Sequence, residues 1–443
     1  MKVMVVGSGG REHAIAWKLA QSDKVERVYV SPGNGGTELE AKCANAPADL
    51  GDPCSAAGQE AHVLFAKREG IDLSVIGPEA PLAAGIVDRF RAAGLAVVGP
   101  DTRGAHLESS KAYAKEFMER YGVRAAESRT TTSYELARRY AEAHFKTQSK
   151  PLVVKADGLA AGKGVVVAAD LAEADAALRS FLTDGSLGEA GKTVVLEDFL
   201  SGVEVSVLAA VSVRPGYSTR ARIVPFVSAR DHKRRFEGAN GPNTGGMGAI
   251  APVPDFSAAA EADFRAAILE PTLRGLVAEG FDYRGFIFFG LMVDAGRCSL
   301  LEYNVRLGDP ETQAVLPLLD SDFADLCAAI QAGSLDAFPI EWKRGASCAP
   351  VAVADGYPGK YRKGDAIAID ADKVACAPAK VFVAGATLDG AALRTAGGRV
   401  LAVSAVADDA EEARRRAYEA MDAVRFAGMG FRKDIGTEVA GRA

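Results

Sequence analysis

The chain has 443 residues, which at roughly 150 residues per domain gives about three domains. Apolar residues make up 48% and charged residues 25%, a globular balance that excludes disordered, fibrous and collagen-like chains. With 52 basic against 58 acidic side chains the net charge is −6, so neither a nucleic acid nor a membrane surface is an expected partner.

Short β-branched runs alternate with amphipathic helices through residues 1–108. Val3 to Val6, Val28 to Val30, Leu73 to Ile76 and Ala96 to Val98 read as strands. Such alternation predicts a Rossmann-like parallel sheet with binding loops at the carboxyl ends of its strands. Those ends carry Gly7-Ser8-Gly9-Gly10, Ser31-Pro32-Gly33-Asn34, Gly77-Pro78-Glu79 and Gly99-Pro100. The first loop leads into a helix, so its free N–H groups suit a phosphate; a ligand-free tight turn is the alternative. The dinucleotide pattern G-x-G-x-x-G is broken by Glu12, which argues against a nicotinamide cofactor.

A second region, 109–331, opens on a helix expected to be capped near Ser109 and stopped at Gly122, with Ala114, Phe117, Met118 and Tyr121 at helical spacing. Strands at Leu152 to Lys155, Val165 to Ala168 and Val194 to Glu197 predict a compact α+β lid over about 125–200. The turn from Lys155 through Gly158, Gly162 and Lys163 to Gly164 fails as a P-loop, because Asp157 and Gly164 replace the required glycine and hydroxyl. Two lysines on a glycine hairpin still suit a polyphosphate, and a mobile hairpin can close over it. Further on, a period of two places Glu302, Asn304 and Arg306 on one face and Tyr303 and Val305 on the other. A carboxylate beside an amide oxygen suits magnesium, which leaves its remaining positions to water and phosphate oxygens. Asp231-His232-Lys233-Arg234-Arg235 and the glycine loop Gly241 to Gly248, by themselves, read equally as surface and connection.

The last region, 336–443, has strand-like runs and a charged helix, Asp409 to Met421, and is expected to be a small α+β domain. Six cysteines without a C-x-x-C pair fit a reducing cytoplasm and exclude a zinc ribbon. The apolar run at the start is too short for a signal peptide.

Taken together, GSGGREHAIAWKLA, SPGNGGT, IGPEAPLAAGIVD, GPDTRGAHLESSKAYAKEFM, VVKADGLAAGKGVVVA, LEDFLSGVEVS, DHKRRFEGANGPNTGGMGA, GYPGKYRKGD and FRKDIG occur in order along the chain. In this the sequence resembles the phosphoribosylamine-glycine ligase family of the ATP-grasp superfamily. The resemblance implies central ATP-grasp domains and ATP-dependent joining of glycine to 5-phosphoribosylamine through glycyl phosphate, in purine synthesis. It implies that Lys111, Lys155, Gly158, Gly162, Lys163 and Gly164 hold ATP phosphates, Glu197, Asp198, Phe199 and Leu200 meet adenine, and Glu204 takes the ribose hydroxyls. Glu302 and Asn304 would hold Mg2+ or Mn2+. Gly9, Gly10, Asn34, Glu79, Gly245, Gly246 and Asp309 would bind the amine and glycine, with Arg306, Asp231 and Lys233 carrying the chemistry. Leu307, Val203, Ala229-Arg230 and Val383-Ala384-Gly385-Ala386 depart from the family's usual residues. A monofunctional, cytoplasmic enzyme is expected, as a monomer or alternatively a dimer.

Overall fold

The computed structural model describes residues 1–159 and 164–437. Strands Lys2–Gly7, Arg27–Pro32, Leu73–Ile76 and Val97–Pro100 form where β-branched runs were read, and all pair in parallel. A fifth parallel strand, Cys43–Asn45, has only three residues, too few to show periodicity. Helix Gly10–Ala20 buries Ile15 and Leu19 against this sheet. Its start is closed by Glu12, whose carboxylate accepts the Gly9 N–H at 2.6 Å.

The sheet does not end with the first region. Val97–Pro100 pairs antiparallel with Tyr283–Asp294, matching Gly99 to Arg284. A Cβ at Gly285 would stand 2.8 Å from the Gly99 Cα, so this close approach requires glycine. From there the hydrogen bonding runs through Val203–Val213, Arg222–Asp231, Gly248–Ala251, Ala346–Val353 and Arg399–Ala407 to Ala379–Val383. With Arg297–Asn304 paired antiparallel to Tyr283–Asp294, the described residues form one sheet of 13 strands that connects all three regions.

Above it stands the lid, an antiparallel sheet of Ser128–Thr131, Val194–Asp198, Leu152–Ala156 and Val165–Ala168. Helices Tyr134–Thr147 and Leu171–Leu178 cover it, and Ala137, Ala141, Val154, Leu178 and Leu196 make a core of their own. The helix expected from Ser109 begins at Lys111; its cap is Ser110, whose Oγ accepts the Tyr113 N–H at 3.1 Å. It ends at Tyr121, followed by Gly122 at φ +69°.

The last region adds a four-stranded sheet, Ala386–Asp389, Ala392–Thr395, Ala366–Ile369 and Val424–Arg425, and helix Ala410–Met421. It is fastened to the first region at Val383. The Val383 N–H donates to His13 Nδ1 at 2.9 Å, and its carbonyl accepts from Asn34 Nδ2 at 2.9 Å. With Nδ1 accepting, His13 donates through Nε2 to Glu40, 3.1 Å away, and Glu40 also pairs with Lys380 at 2.5 Å. Among the described residues, no helix is long and apolar enough to cross a membrane.

Candidate active site

Where the lid, the central sheet and the first region meet, they enclose a cavity of about 450 Å³. Its walls gather Glu79, Lys111, Lys155, Gly158, Gly164, Glu197, Asp231, Lys233, Gly245, Glu302, Asn304, Arg306 and Asp309 from the sequence-derived set. Gly9, Gly10, Asn34, Asp198, Phe199, Leu200, Glu204 and Gly246 do not line it. Gly162 and Lys163 lie outside the described residues.

At the lid end, the first arm of the glycine hairpin is tied to the helix Lys111–Tyr121. The Asp157 carboxylate accepts from the Ala112 N–H at 3.1 Å and from Ser110 Oγ at 3.2 Å. Lys111 donates to the Gly158 carbonyl at 2.9 Å. Lys155, reaching inward from its strand, stands 2.8 Å from Glu197 and 3.2 Å from the Leu301 carbonyl. Lys115, one helical turn after Lys111, pairs with the other Glu197 oxygen at 3.1 Å. Burial pushes the Lys111 and Lys115 ammonium groups below the usual lysine range. Glu302 sits among these cations. Burial alone would raise its carboxyl, but Lys233, Lys155, Lys111 and Arg306 hold it below the usual value, so it is charged.

Asn304 lies two residues along from Glu302 and accepts from Arg306 Nη2 at 2.9 Å. Among the described residues, no group of three or more His, Cys, Asp or Glu side chains can hold a metal by itself. No hydrogen bond within the described residues reaches the Glu302 carboxylate, which faces the cavity. A hard cation sharing its shell between two protein oxygens and phosphate or water oxygens fits this donor set.

At the opposite end Arg306 spans two carboxylates, Glu108 at 2.9 Å and Glu79 at 3.4 Å. Burial raises the Glu108 carboxyl above its ordinary range, while Arg306 and Arg11 outweigh burial and hold Glu79 below it. The Asp231 Oδ1 atom is buried and lacks a hydrogen-bond partner. Burial, then the neighbouring Glu311, raise its carboxyl well above the ordinary range, and Lys233 and Arg399 only partly offset this. Lys233 lies 2.5 Å from Glu204, which is half exposed at the rim. Glu204, Glu302 and Asp231 together outweigh burial and hold the Lys233 ammonium above its usual range.

Some expected substrate groups also make contacts within the fold. Asn34 Oδ1 accepts the Gly36 and Thr37 N–H groups, and its Nδ2 donates to the Ser8 and Val383 carbonyls. Gly9 and Gly246 back the site: a Cβ at Gly9 would lie 3.2 Å from Asp309 Oδ2, and one at Gly246 would lie 2.5 Å from Asp231 Oδ1. A Cβ at Gly10 would strike Gln313 Nε2 at 2.5 Å. Conversely Arg11, Glu108, Lys115, Glu311 and Arg399 line the cavity and were not singled out as site residues. Lys115 was legible as the i+4 neighbour of Lys111; Arg399 had no local signal.

The sequence matches the phosphoribosylglycinamide synthetase N domain over residues 1–108, its ATP-grasp (A) domain over 109–312 and its C domain over 347–438. Phosphoribosylamine–glycine ligases of Clostridium acetobutylicum and Ralstonia nicotianae are each 46% identical, covering 98% of this chain and 99% of theirs. The crystal structure of phosphoribosylamine–glycine ligase from Thermotoga maritima superposes with a TM-score of 0.81 at 34% identity, over 98% of this chain and 100% of that one. The fold alone is shared with the biotin carboxylase domain of Hydrogenobacter thermophilus 2-oxoglutarate carboxylase, at TM-score 0.70 and 16% identity, over 97% and 91% of the two chains. With all three of its regions matched in order and the first two meeting around one cavity, the chain belongs to the phosphoribosylamine–glycine ligase family and carries an ATP-grasp domain.

Proposed function

We propose that this cavity joins glycine to 5-phosphoribosylamine with ATP, giving glycinamide ribonucleotide, ADP and phosphate, as a step of purine synthesis. The observation that carries the reading is a single cavity with lysines and a charged Glu302 at one end and a buried carboxyl with Arg306 at the other. Phosphoryl transfer to a carboxylate needs positioning and charge neutralisation more than covalent help. Lys111 and Lys155 hold the phosphates, and the lid sheet shields them from water. Glu302 and Asn304 would hold Mg2+ or Mn2+, which supplies charge neutralisation between phosphates.

A glycine carboxylate oxygen takes the γ-phosphoryl group while the bond to ADP breaks. The amine then attacks the acyl carbon of glycyl phosphate, phosphate leaves, and the nitrogen gives up a proton. Lys233 and Arg306 neutralise the developing oxyanion charge. The departing phosphate takes that proton, and the Asp231 carboxyl faces the amine as a hydrogen-bonding group. Asp198, Phe199, Leu200 and Glu204 border the adenosine side, and Glu79, Asp309 and the Gly245–Gly246 loop border the amine and glycine. This reading divides the chain at 1–108, 109–331 and 336–443, with small-molecule partners only, in a cytoplasmic monomer.

The test is phosphate release with ATP, magnesium and phosphoribosylamine generated in situ, with and without glycine. Release is expected only with all components present; turnover independent of glycine overturns the assignment.

A further inference from the structure

The sequence stretch from Gly356 to Asp365 and the glycines before Arg399 have no place in the chemistry above, yet Tyr357 and Arg399 bond to Gly245 on the cavity wall. The Gly245 N–H donates to Tyr357 Oη at 3.0 Å. The Gly245 carbonyl accepts from Arg399 Nη1, and the same nitrogen donates to the Asp309 carbonyl at 2.8 Å and lies 3.3 Å from Asp309 Oδ1. Both polar groups of one peptide-bearing residue are thus held by side chains of the last region. The Tyr357 ring reaches this position by lying on Gly398, where a Cβ would stand 2.3 Å from the ring. Behind the loop, Gly246 donates to Thr244 Oγ1 at 3.0 Å, and Thr244 Oγ1 donates to the Lys233 carbonyl at 2.8 Å. Gly246 in turn packs against Asp231, so a shift of Gly245 moves the wall facing that carboxyl.

Building on the ligase reading, we infer that Tyr357 and Arg399 are positioning residues for the acid substrate, through which the last region shapes the glycine end of the cavity. They act on Gly245 and Asp309 and leave the lysine end alone, since Lys111 and Lys155 take their partners from Gly158, Glu197 and Leu301. Glycine offers few atoms to grip, so affinity for it depends on a wall held to within a fraction of an ångström.

The test is steady-state kinetics of Tyr357→Phe and Arg399→Lys, with glycine and ATP varied in turn and thermal melting of each variant. Tyr357→Phe removes one hydroxyl and is expected to raise the glycine KM about fivefold, the factor one ordinary hydrogen bond is worth. The ATP KM is expected to stay within about twofold, because the change touches no lysine partner. Arg399→Lys keeps the charge, loses the planar fork and is expected to raise the glycine KM more than Tyr357→Phe does. Should Arg399→Lys not fold, Tyr357→Phe decides alone. An unchanged glycine KM in Tyr357→Phe, or glycine and ATP KM rising in step, overturns the inference. A parent protein that releases no ADP in response to glycine overturns the ligase reading itself, a separate outcome seen before any variant is made.

Discussion

At the lid end of the cavity Lys111, Lys115 and Lys155 stand with Glu197 and Glu302 in the wall, whereas at the other end Asp231, Asp309 and Glu311 stand with Arg399 and Lys233. Burial costs both ends, but it falls on opposite charges. Near the lid it depresses Lys111 and Lys115 and leaves Glu302 charged; at the far end it raises Asp231. A cavity with surplus buried cations at one end is completed by an anion, and one with a raised carboxyl at the other by a cation or a proton. ATP and an amine-bearing acid meet the two demands.

The largest expected effect comes from neutralising Glu302, a carboxylate at the lid end that faces the cavity. Glu302→Gln is expected to lower kcat by about a thousandfold, the scale of losing one preorganised charge in a water-poor site. ATP binding, followed by calorimetry, is expected to weaken far less, because the lysines remain. A variant with near-parental kcat would break the assignment of Glu302 to the metal. Next comes Arg306→Lys at the far end, which leaves a point charge where a fork spans Glu79 and Glu108. A fall of about a hundredfold in kcat/KM for the amine is expected, on the scale of misplacing a reacting group by about 1 Å. Equal losses toward ATP and the amine would erase the distinction between the ends.

How much of this was legible follows from how local each feature is. The E-x-N pair is set by the period of a strand, and its consequences appear as expected: Tyr303 and Val305 are buried while Glu302 and Asn304 face the cavity. Lys155 and Gly158, on the first arm of the hairpin, are equally local. Arg399 is not, because it enters through a sheet register and touches Asp309 at a separation of 90 residues. Glu108 likewise receives its role from tertiary contacts, accepting the Val305 N–H at 2.7 Å. The loop at Asn34 is expected to meet ligand because it ends a strand; in the structure its amide bonds to the helix start it caps and to Val383. Continuity of the central sheet depends on two glycines, Gly99 and Gly285, whose close approach no periodicity announces.

The raised Asp231 carboxyl makes the comparison testable through stability. Its folded value lies above its unfolded value, so the native state retains a proton that the unfolded chain has lost. Stability from this group is full below the ordinary aspartate range and is lost as pH rises toward the raised native value. Asp231→Asn removes that loss and is expected to raise the melting temperature at pH 7 by about 2 °C, on the scale of ~1 kcal/mol. At pH 4 the gain is expected to shrink. A variant that melts lower than the parent at pH 7 would show that Lys233 and Arg399 already compensate the charge. The same substitution is expected to abolish turnover, separating stability from function at one atom.

The smallest expected effect lies at Glu204, half exposed and paired with Lys233 at 2.5 Å. An exposed ion pair contributes about 0.2–1 kcal/mol, so Glu204→Gln through that pair alone is expected to change the ATP KM by less than about fivefold and kcat hardly at all. The functional reading adds a second role, accepting ribose hydroxyls, and the two roles separate in a cycle with 2′-deoxy-ATP. In the parent, the deoxy nucleotide is expected to have a lower kcat/KM than ATP by a factor of about five, one hydrogen bond. In Glu204→Gln the two nucleotides are expected to converge, because the acceptor that told them apart is weakened. An unchanged ratio would remove Glu204 from the nucleotide and leave it only as the partner of Lys233. The border between the two ends would then run on the lid side of Glu204, placing Lys233 wholly with the acid substrate.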